Sequence, residues 1–371
     1  MKITLAISYF GSGGMEKVIE RLAKMFVKID LEVDIYIFGI KKSEIKRVKK
    51  IFLLNGNKVK IHILNNYRLP EKKAFWLFER IIGFIESLNN TKKYVFESRP
   101  DFIIAMDPWA LNVFIVFRYF LKKIKVWSWL HFTLDVYKNS KFWMTNKYFL
   151  KKANGIFAIC EAIKEQLSLE IPEQKNIVVT YNPIGELEER YIKRSKEPIF
   201  VYIGRFENHQ KRLDYMIETF SKIKDLPWQL LMIGDGPDFN NIKRLVNELK
   251  LNNKIKLLGF KENPWEYVSE ASAFILTSRY EGLPLVLIES LWYGLPVIST
   301  NCPTGPNEIV IDGVNGCLVP VNDKEKLIEI LTKVIKREIA FKEPEEIRKT
   351  ALKFTDEEVM KRILKAFKVS E

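Results

Sequence analysis

The sequence predicts an α/β protein built from two doubly wound, Rossmann-like halves, and three observations carry that reading. A chain of 371 residues is too long for one ordinary core. Short, β-branched apolar runs alternate with longer amphipathic stretches, the pattern of parallel sheets covered by helices on both faces. The pattern then restarts after a polar segment bounded by prolines, YNPIGELEERYIKRSKEP (181–198), which reads as an interdomain linker.

In the first half, KITLAISYF (2–10) and EVDIYIFGI (32–40) read as strands. GMEKVIERLAKMFVKI (14–29) is the helical stretch between them. Further strands are expected at 60–64, 101–106, 124–130 and 155–160. In the second half the strands are EPIFVYIGRF (197–206), WQLLMIGDG (228–236), NKIKLLGF (253–260) and SAFILTS (272–278). The tail FTDEEVMKRILKAFKVSE (354–371) reads as an amphipathic helix capped by Thr355 and Glu358. The expected domains are therefore 1–185, 186–353 and a C-terminal helix at 354–371, with a cleft between the two halves.

Hydrophobic residues make up 47% of the chain and charged residues 29%, which excludes a disordered protein. Cys160, Cys302 and Cys317 fit no metal spacing and no disulfide framework, so buried thiols in a reducing cytosol are expected. The first strand is too short for a secretory signal core. The longest apolar run, 109–121, is broken by Arg118 and falls short of the ~20 residues that span a bilayer. Charge is uneven. Residues 1–185 hold 31 Lys and Arg against 17 Asp and Glu, whereas residues 186–371 hold 29 of each. A net charge of +14 confined to one half suggests a polyanion or an anionic surface as its partner. Nucleic acid, anionic lipid and a phosphorylated glycan all satisfy it.

Ligands of open parallel sheets sit beyond the carboxyl ends of the strands, so the residues that follow each strand are the candidates. After the first strand comes GSGGME (11–16), where Gly13 and Gly14 allow close backbone approach and a helix start offers amides to an anion. The full G-x-G-x-x-G fingerprint is missing, which argues against an NAD-dependent dehydrogenase. After the first strand of the second half comes GRFENHQKR (204–212), where Arg205 and Lys211 supply a fork and a point charge suited to a pyrophosphate. His131 ends the aromatic strand WSWLHF and is a candidate ligand contact. Asp107 holds an equivalent strand-end place, and His62 reads as structural.

SRYEGLPLVLIESLWYGLP (278–296) places Glu281 in a loop and Glu289 in the second turn of a helix from about 284 to 293, closed by Gly294. Pro284 is read as a first-turn residue. The amides of Gly282, Leu283 and Leu285 are left for an anion. Glu289, flanked by Leu287, Ile288, Leu291 and Trp292, needs hydrogen bonds to remain ionised. Vicinal ribose hydroxyls would provide them.

The set GSGGME, WSWLHF, YNP, YIGRF-x4-QKR, IGDGP, E-x7-E and CPTGPNEI resembles the retaining glycosyltransferases of family 4, which have the GT-B fold. The likeness covers nearly the whole chain and is most specific across 199–320. WSWLHFTLD (127–135) and NCPTGPNEI (301–309) are most similar to lipopolysaccharide 1,6-galactosyltransferases and related envelope-glycan enzymes. The resemblance implies a UDP-sugar donor, UDP-galactose or UDP-glucose, with no metal and no further cofactor. It implies that Arg205 and Lys211 hold the diphosphate and that Glu289 takes the ribose. Glu281 and the following amides would meet sugar and phosphate, His131 would lie against the sugar, and Gly13 and Gly14 would approach the phosphate. Gly259 and Phe260 would frame the base, and the final helix would return to the first domain. His131, Glu281, Arg205 and Lys211 are the residues expected to carry catalysis.

The basic first domain then has its reason, because an anionic glycan or glycolipid acceptor would bind there. Residues 68–96 mix Lys and Arg with Phe and Trp as an interfacial helix does. The expected location is cytoplasmic, peripheral on the inner face of the cytoplasmic membrane, with no nucleic-acid partner. A nucleotide-sugar epimerase of the same fold is the nearest enzymatic alternative. A basic nucleic-acid-binding protein is the alternative from another class, but it leaves Glu289 unexplained.

Overall fold

The computed structural model describes residues 1–11, 14–53, 58–64, 76–121, 123–131, 134, 138 and 141–369. Its contacts divide the chain into two units, Met1–Gly185 with Asp356–Glu371, and Glu186–Thr355.

The first unit is built on seven parallel strands: β1 (Lys2–Phe10), β2 (Glu32–Ile40), β3 (Val59–Ile63), β4 (Phe102–Ala105), β5 (Lys125–Leu130), β6 (Gly155–Ala158) and β7 (Ile177–Val179). They lie in the order β3-β2-β1-β4-β5-β6-β7. The sheet reverses direction between β1 and β4, so the carboxyl ends of these two strands flank its topological switch point. Helices α1 (Gly14–Lys28), α2 (Lys42–Leu53), α3 (Trp76–Ser98), α4 (Pro108–Phe120), α5 (Trp143–Lys152) and α6 (Glu161–Glu170) connect the strands. Near-complete burial of β2, β4 and β6 explains their continuous apolar runs, because both faces of these central strands are covered.

Aromatic packing closes this core. Trp127 stacks on Phe157 at 4.5 Å between centroids, and Phe102 stacks on Phe367 of the last helix at 4.0 Å. Gly155 makes the first stack possible, because a Cβ there would lie 2.3 Å from the Trp127 ring. The last helix, Asp356–Val369, is also tied in by Arg362 Nη1 to the Val179 carbonyl (3.2 Å) and by the Gly185 amide to Asp356 Oδ1 (2.8 Å). The Thr355–Glu358 capping box does not form. The Thr355 amide donates to the Leu352 carbonyl, and Glu358 accepts from Lys361 instead.

The second unit has a six-stranded parallel sheet. Before it comes the two-residue β8 (Lys193–Arg194). The sheet strands are β9 (Ile199–Ile203), β10 (Gln229–Ile233), β11 (Ile255–Leu257), β13 (Ala273–Leu276), β14 (Val297–Thr300) and β15 (Gly316–Val319), in the order β11-β10-β9-β13-β14-β15. β12 (Glu270–Ala271) pairs with β8. Two of the six, β14 and β15, go beyond the four read from the sequence. The expected linker is also partly structured: residues 186–198 belong to the second unit, where β8 pairs and Arg190 donates to the Trp265 and Val268 carbonyls. In this unit the switch point lies between β9 and β13, and both strands lead into the candidate residues.

Candidate active site

Two loops leave the switch point of the second sheet side by side. After β9, Gly204 has no side chain because a Cβ would lie 2.8 Å from the Tyr202 hydroxyl, which donates to the Arg205 carbonyl (2.9 Å). This fixes the backbone of Arg205, whose side chain is exposed. A single helical turn, α7 (Asn208–Lys211), follows, capped by Glu207 accepting from the His209 and Gln210 amides at 3.0 and 3.1 Å. Arg212 ends it in the left-handed region (φ 53°), before α8 (Leu213–Ser221); α9 (Phe239–Glu248) follows β10. That turn delivers Lys211 to the loop after β13.

The two loops are laced together by backbone and side chain. The Arg279 amide donates to the Gln210 carbonyl (2.8 Å), and the Thr277 hydroxyl donates to the Lys211 carbonyl (3.0 Å). Glu281 is buried, with 7% of its surface exposed. Burying a carboxylate is costly unless it is paired and fully hydrogen-bonded, and here it is both. Its Oε1 accepts from Lys211 Nζ and from Ser278 Oγ, each at 2.6 Å, and its Oε2 accepts from Gln210 Nε2 at 3.4 Å. Its carbonyl accepts from the Thr304 hydroxyl. Of the two predicted cations, Lys211 is the one joined to Glu281.

Gly282 and Leu283 lead to Pro284, which caps α10 (Leu285–Trp292). Pro284 is therefore the residue before the helix, not in its first turn: φ is −72° but ψ is 94°. Proline fixes only φ, and the extended ψ was set by packing. Among the described residues the amides of Gly282, Leu283 and Leu285 have no acceptor. Three donors at a helix start with no capping side chain are the groups an anion would need there. Gly305 (φ 91°) lies against this turn so closely that a Cβ would meet the Gly282 carbonyl at 2.3 Å.

Glu289 sits in the second turn of α10, half-buried, and accepts from Trp265 Nε1 at 3.0 Å. Gly259 (φ 70°) accepts at its carbonyl from the Gly234 amide (2.9 Å) and leaves open space where a side chain would be. Phe260 beside it is 74% exposed. Cys302 is no candidate nucleophile, because burial and then the Glu281 charge push its thiol up to about 12.

In the first unit, Gly14 opens α1 with free space around its Cα, and the Gly11 amide donates to Glu16 Oε1 (2.8 Å). Gly13 lies outside the described residues. Asp107 has a structural role: it caps α4, accepting from the Ala110 amide (3.0 Å) and the Ser8 amide (2.6 Å). His131 follows β5 directly, is buried, and stacks on Trp129 with ring planes 9° apart. Its Nε2 has no hydrogen-bond partner among the described residues, and burial lowers its pKa to about 3, so the ring is neutral. His62 lies in β3, 3.6 Å from the buried Asp34.

Sequence reasoning passed over Ser278, Gln210, Thr304 and Trp265. Only Ser278, three residues before Glu281, had a local signal.

Comparison with known proteins decides the family. Residues 12–185 match the model for Glycosyltransferase Family 4, and residues 184–354 match Glycosyl transferases group 1. A lipopolysaccharide 1,6-galactosyltransferase of Escherichia coli K12 is 31% identical over 70% of this chain and 73% of its own length. The chain belongs to the family 4 glycosyltransferases. Its Salmonella typhimurium relative of the same description is 28% identical over 82% of this transferase. The solved lipopolysaccharide outer core galactosyltransferase WaaB, in its apo form, superimposes with a TM-score of 0.80 at 25% identity over the full length of both chains. Anabaena Alr3699/HepE, solved with UDP, shares the GT-B fold with this transferase at 16% identity and a TM-score of 0.75.

Proposed function

We propose that this enzyme is a retaining, metal-independent hexosyltransferase that moves galactose or glucose from a UDP-sugar to a lipopolysaccharide core or another cell-envelope glycan. The observation that carries the reading is the buried Lys211–Glu281 pair beside three unpaired amides at the start of α10. Cleaving a sugar–phosphate bond builds negative charge on the departing nucleoside diphosphate. Fixed donors in a partly water-excluded site stabilise that charge without reorganising. Arg205, whose side chain is exposed and has no partner among the described residues, and Lys211 are assigned to the diphosphate, and the amides of Gly282, Leu283 and Leu285 add to them. Glu289 is assigned to the ribose, Gly259 and Phe260 to the base, and Glu281 to the donor sugar. His131, neutral and with no partner for its Nε2 among the described residues, is assigned to a sugar hydroxyl.

The carboxylate of Glu281 already accepts from three side chains, which favours a positioning role over nucleophilic attack. Same-face attack is therefore proposed, with the leaving phosphate oxygen taking the acceptor proton. Names of the relatives support the donor and acceptor classes: lipopolysaccharide galactosyltransferases by sequence, and HepE solved with UDP and with UDP-glucose. The decisive measurement is acceptor-dependent release of UDP in a screen of nucleotide sugars with and without EDTA. Turnover of UDP-galactose or UDP-glucose that EDTA leaves unchanged is expected. Interconversion of sugars without acceptor would establish an epimerase instead.

The acceptor is assigned to the first unit, and the enzyme to the inner face of the cytoplasmic membrane. No helix among the described residues is long and apolar enough to cross a bilayer. Part of the expected interfacial segment, 68–75, lies outside the described residues. On the rest of α3, Ile82, Ile85 and Phe96 are exposed, but Lys92 and Lys93 are balanced by Glu86 and Glu97. The stronger feature is α2. Lys42, Lys46, Lys49 and Lys50 recur at helical spacing, are exposed, and have no ion-pair partner among the described residues. They span about 12 Å, a flat cationic stripe suited to an anionic lipid surface.

A further inference from the structure

Glu289 does not stand alone in its helix. Its Oε2 accepts from the indole of Trp265 at 3.0 Å, and Trp265 is itself held from several sides. It lies in the short turn Pro264–Tyr267, is 5% exposed, and packs against Tyr293 and Phe274 with ring centroids 5.1 and 5.8 Å away. Arg190 fastens the turn from behind. Its Nη2 donates to the Trp265 carbonyl (2.5 Å), its Nη1 to the Val268 carbonyl (3.3 Å), and its guanidinium lies 5.0 Å over the Tyr293 ring. The indole is thus a fixed donor, not a mobile one.

A fixed donor matters for a glutamate. The last torsion of a Glu side chain is broad and nearly two-fold, so an unheld carboxylate plane rotates easily. Two vicinal hydroxyls are recognised well only by a carboxylate whose plane already matches them, because ordering it on binding costs affinity. An indole N–H is donor-only and cannot reverse its role, and donation to a carboxylate is charge-assisted. We infer that Trp265 is a positioning residue that sets the plane of the Glu289 carboxylate for a vicinal diol, with Arg190 and Tyr293 as its support. This rests on the assignment of Glu289 to the ribose and adds the group that makes that glutamate selective for a ribonucleotide over its deoxy counterpart.

The test uses the full chain and whichever of UDP, ADP and GDP it binds best, together with the 2′,3′-dideoxy form of that nucleotide. Calorimetry gives the ratio of the two affinities. In the native protein the diphosphate with ribose binds more tightly. Trp265→Phe keeps most of the ring packing and removes the donor, so it lowers affinity for the ribonucleotide about tenfold. It leaves the dideoxy form unchanged, and the ratio collapses. If Trp265→Phe weakens both forms equally, the residue is only structural and the inference is overturned. Should that variant fold poorly, 3-benzothienylalanine at position 265 replaces N–H by sulfur at nearly constant shape and is read in the same way. Glu289→Gln separates the two assignments. Collapse of the ratio in Glu289→Gln but not in the Trp265 variants overturns the role of Trp265 alone. A native ratio in Glu289→Gln overturns the ribose assignment and, with it, the inference.

Discussion

Lys211 Nζ and Glu281 Oε1 lie 2.6 Å apart, with only 18% and 8% of the two side chains exposed. The turn after β9 presents the lysine and the loop after β13 presents the glutamate, so the pair joins the two strands that flank the switch point of the second sheet. Removing one member leaves the other charged and buried. Lys211→Met and Glu281→Gln should each destabilise the fold by about 3 kcal/mol, and the double variant by less than their sum. Urea unfolding of the four proteins measures the coupling. Transfer should fall about a hundredfold or more in Lys211→Met, because a fixed positive charge has gone. Additive stabilities would show that the ion pair is incidental.

Thr304 reaches the same loop from its backbone side. Its hydroxyl donates to the Glu281 carbonyl. In a trans peptide the carbonyl of one residue and the N–H of the next point in opposite directions, so this bond aims the Gly282 amide. Thr304→Val should raise the KM for the donor about tenfold, while Thr304→Ser restores it. Gly305→Ala should do more harm, because its Cβ would lie 2.3 Å from the Gly282 carbonyl at a φ of 91°. Steady-state kinetics checks all three. Equal kinetics for Val and Ser would remove Thr304 from the site.

The lysines of α2 make a prediction about location. Lys42, Lys46, Lys49 and Lys50, all changed to Gln, should reduce binding to phosphatidylglycerol vesicles about a hundredfold. A control with Lys222, Lys224, Lys243 and Lys250 changed to Gln removes as much exposed charge from the second unit and should change little. Cosedimentation at rising salt reads both, and binding should weaken steeply with ionic strength. Equal loss in the two variants would show a bulk-charge effect. Native vesicle binding combined with lost transfer to a phosphorylated acceptor would assign the stripe to the acceptor.

The fold and the positions of the candidate residues were legible for one reason: both follow from strands whose apolar runs stop at identifiable points. Arg205, Lys211, His131 and Glu281 all come just after such runs, where parallel sheets place ligands. β14 and β15 are no shorter than β4, β6 and β13, which were read, but they lie among Gly294, Pro296, Gly313, Gly316 and Pro320, so their apolar runs look like loop. The residues that hold the site were hidden for a different reason. Gln210, Thr304 and Trp265 act through hydrogen bonds to partners 71, 23 and 24 residues away, and no local pattern records such distances. Pro284 shows the limit within one residue, since its ring fixes φ while neighbouring packing decides whether it begins the helix or precedes it.

His131 predicts how stability responds to acid. Burial lowers its pKa to about 3 in the folded protein, whereas the unfolded chain binds a proton near 6.5. Between these values the unfolded state holds one more proton than the folded state, so stability rises with pH there. The contribution is complete above about pH 6.5 and is lost progressively as pH falls towards 3, by at most about 1.4 kcal/mol per unit. Unfolding free energies from urea titrations between pH 7.5 and 5 measure the slope. His131→Phe preserves the stacking on Trp129 and removes the titrating group, so its slope over that window should be shallower than that of the native protein. An unchanged slope would mean that His131 is solvated enough to carry a proton in the folded state. A neutral imidazole at this strand end, with no partner for its Nε2 among the described residues, is the form that the proposed assignment to a sugar hydroxyl requires, because it can exchange a hydrogen bond without carrying a charge.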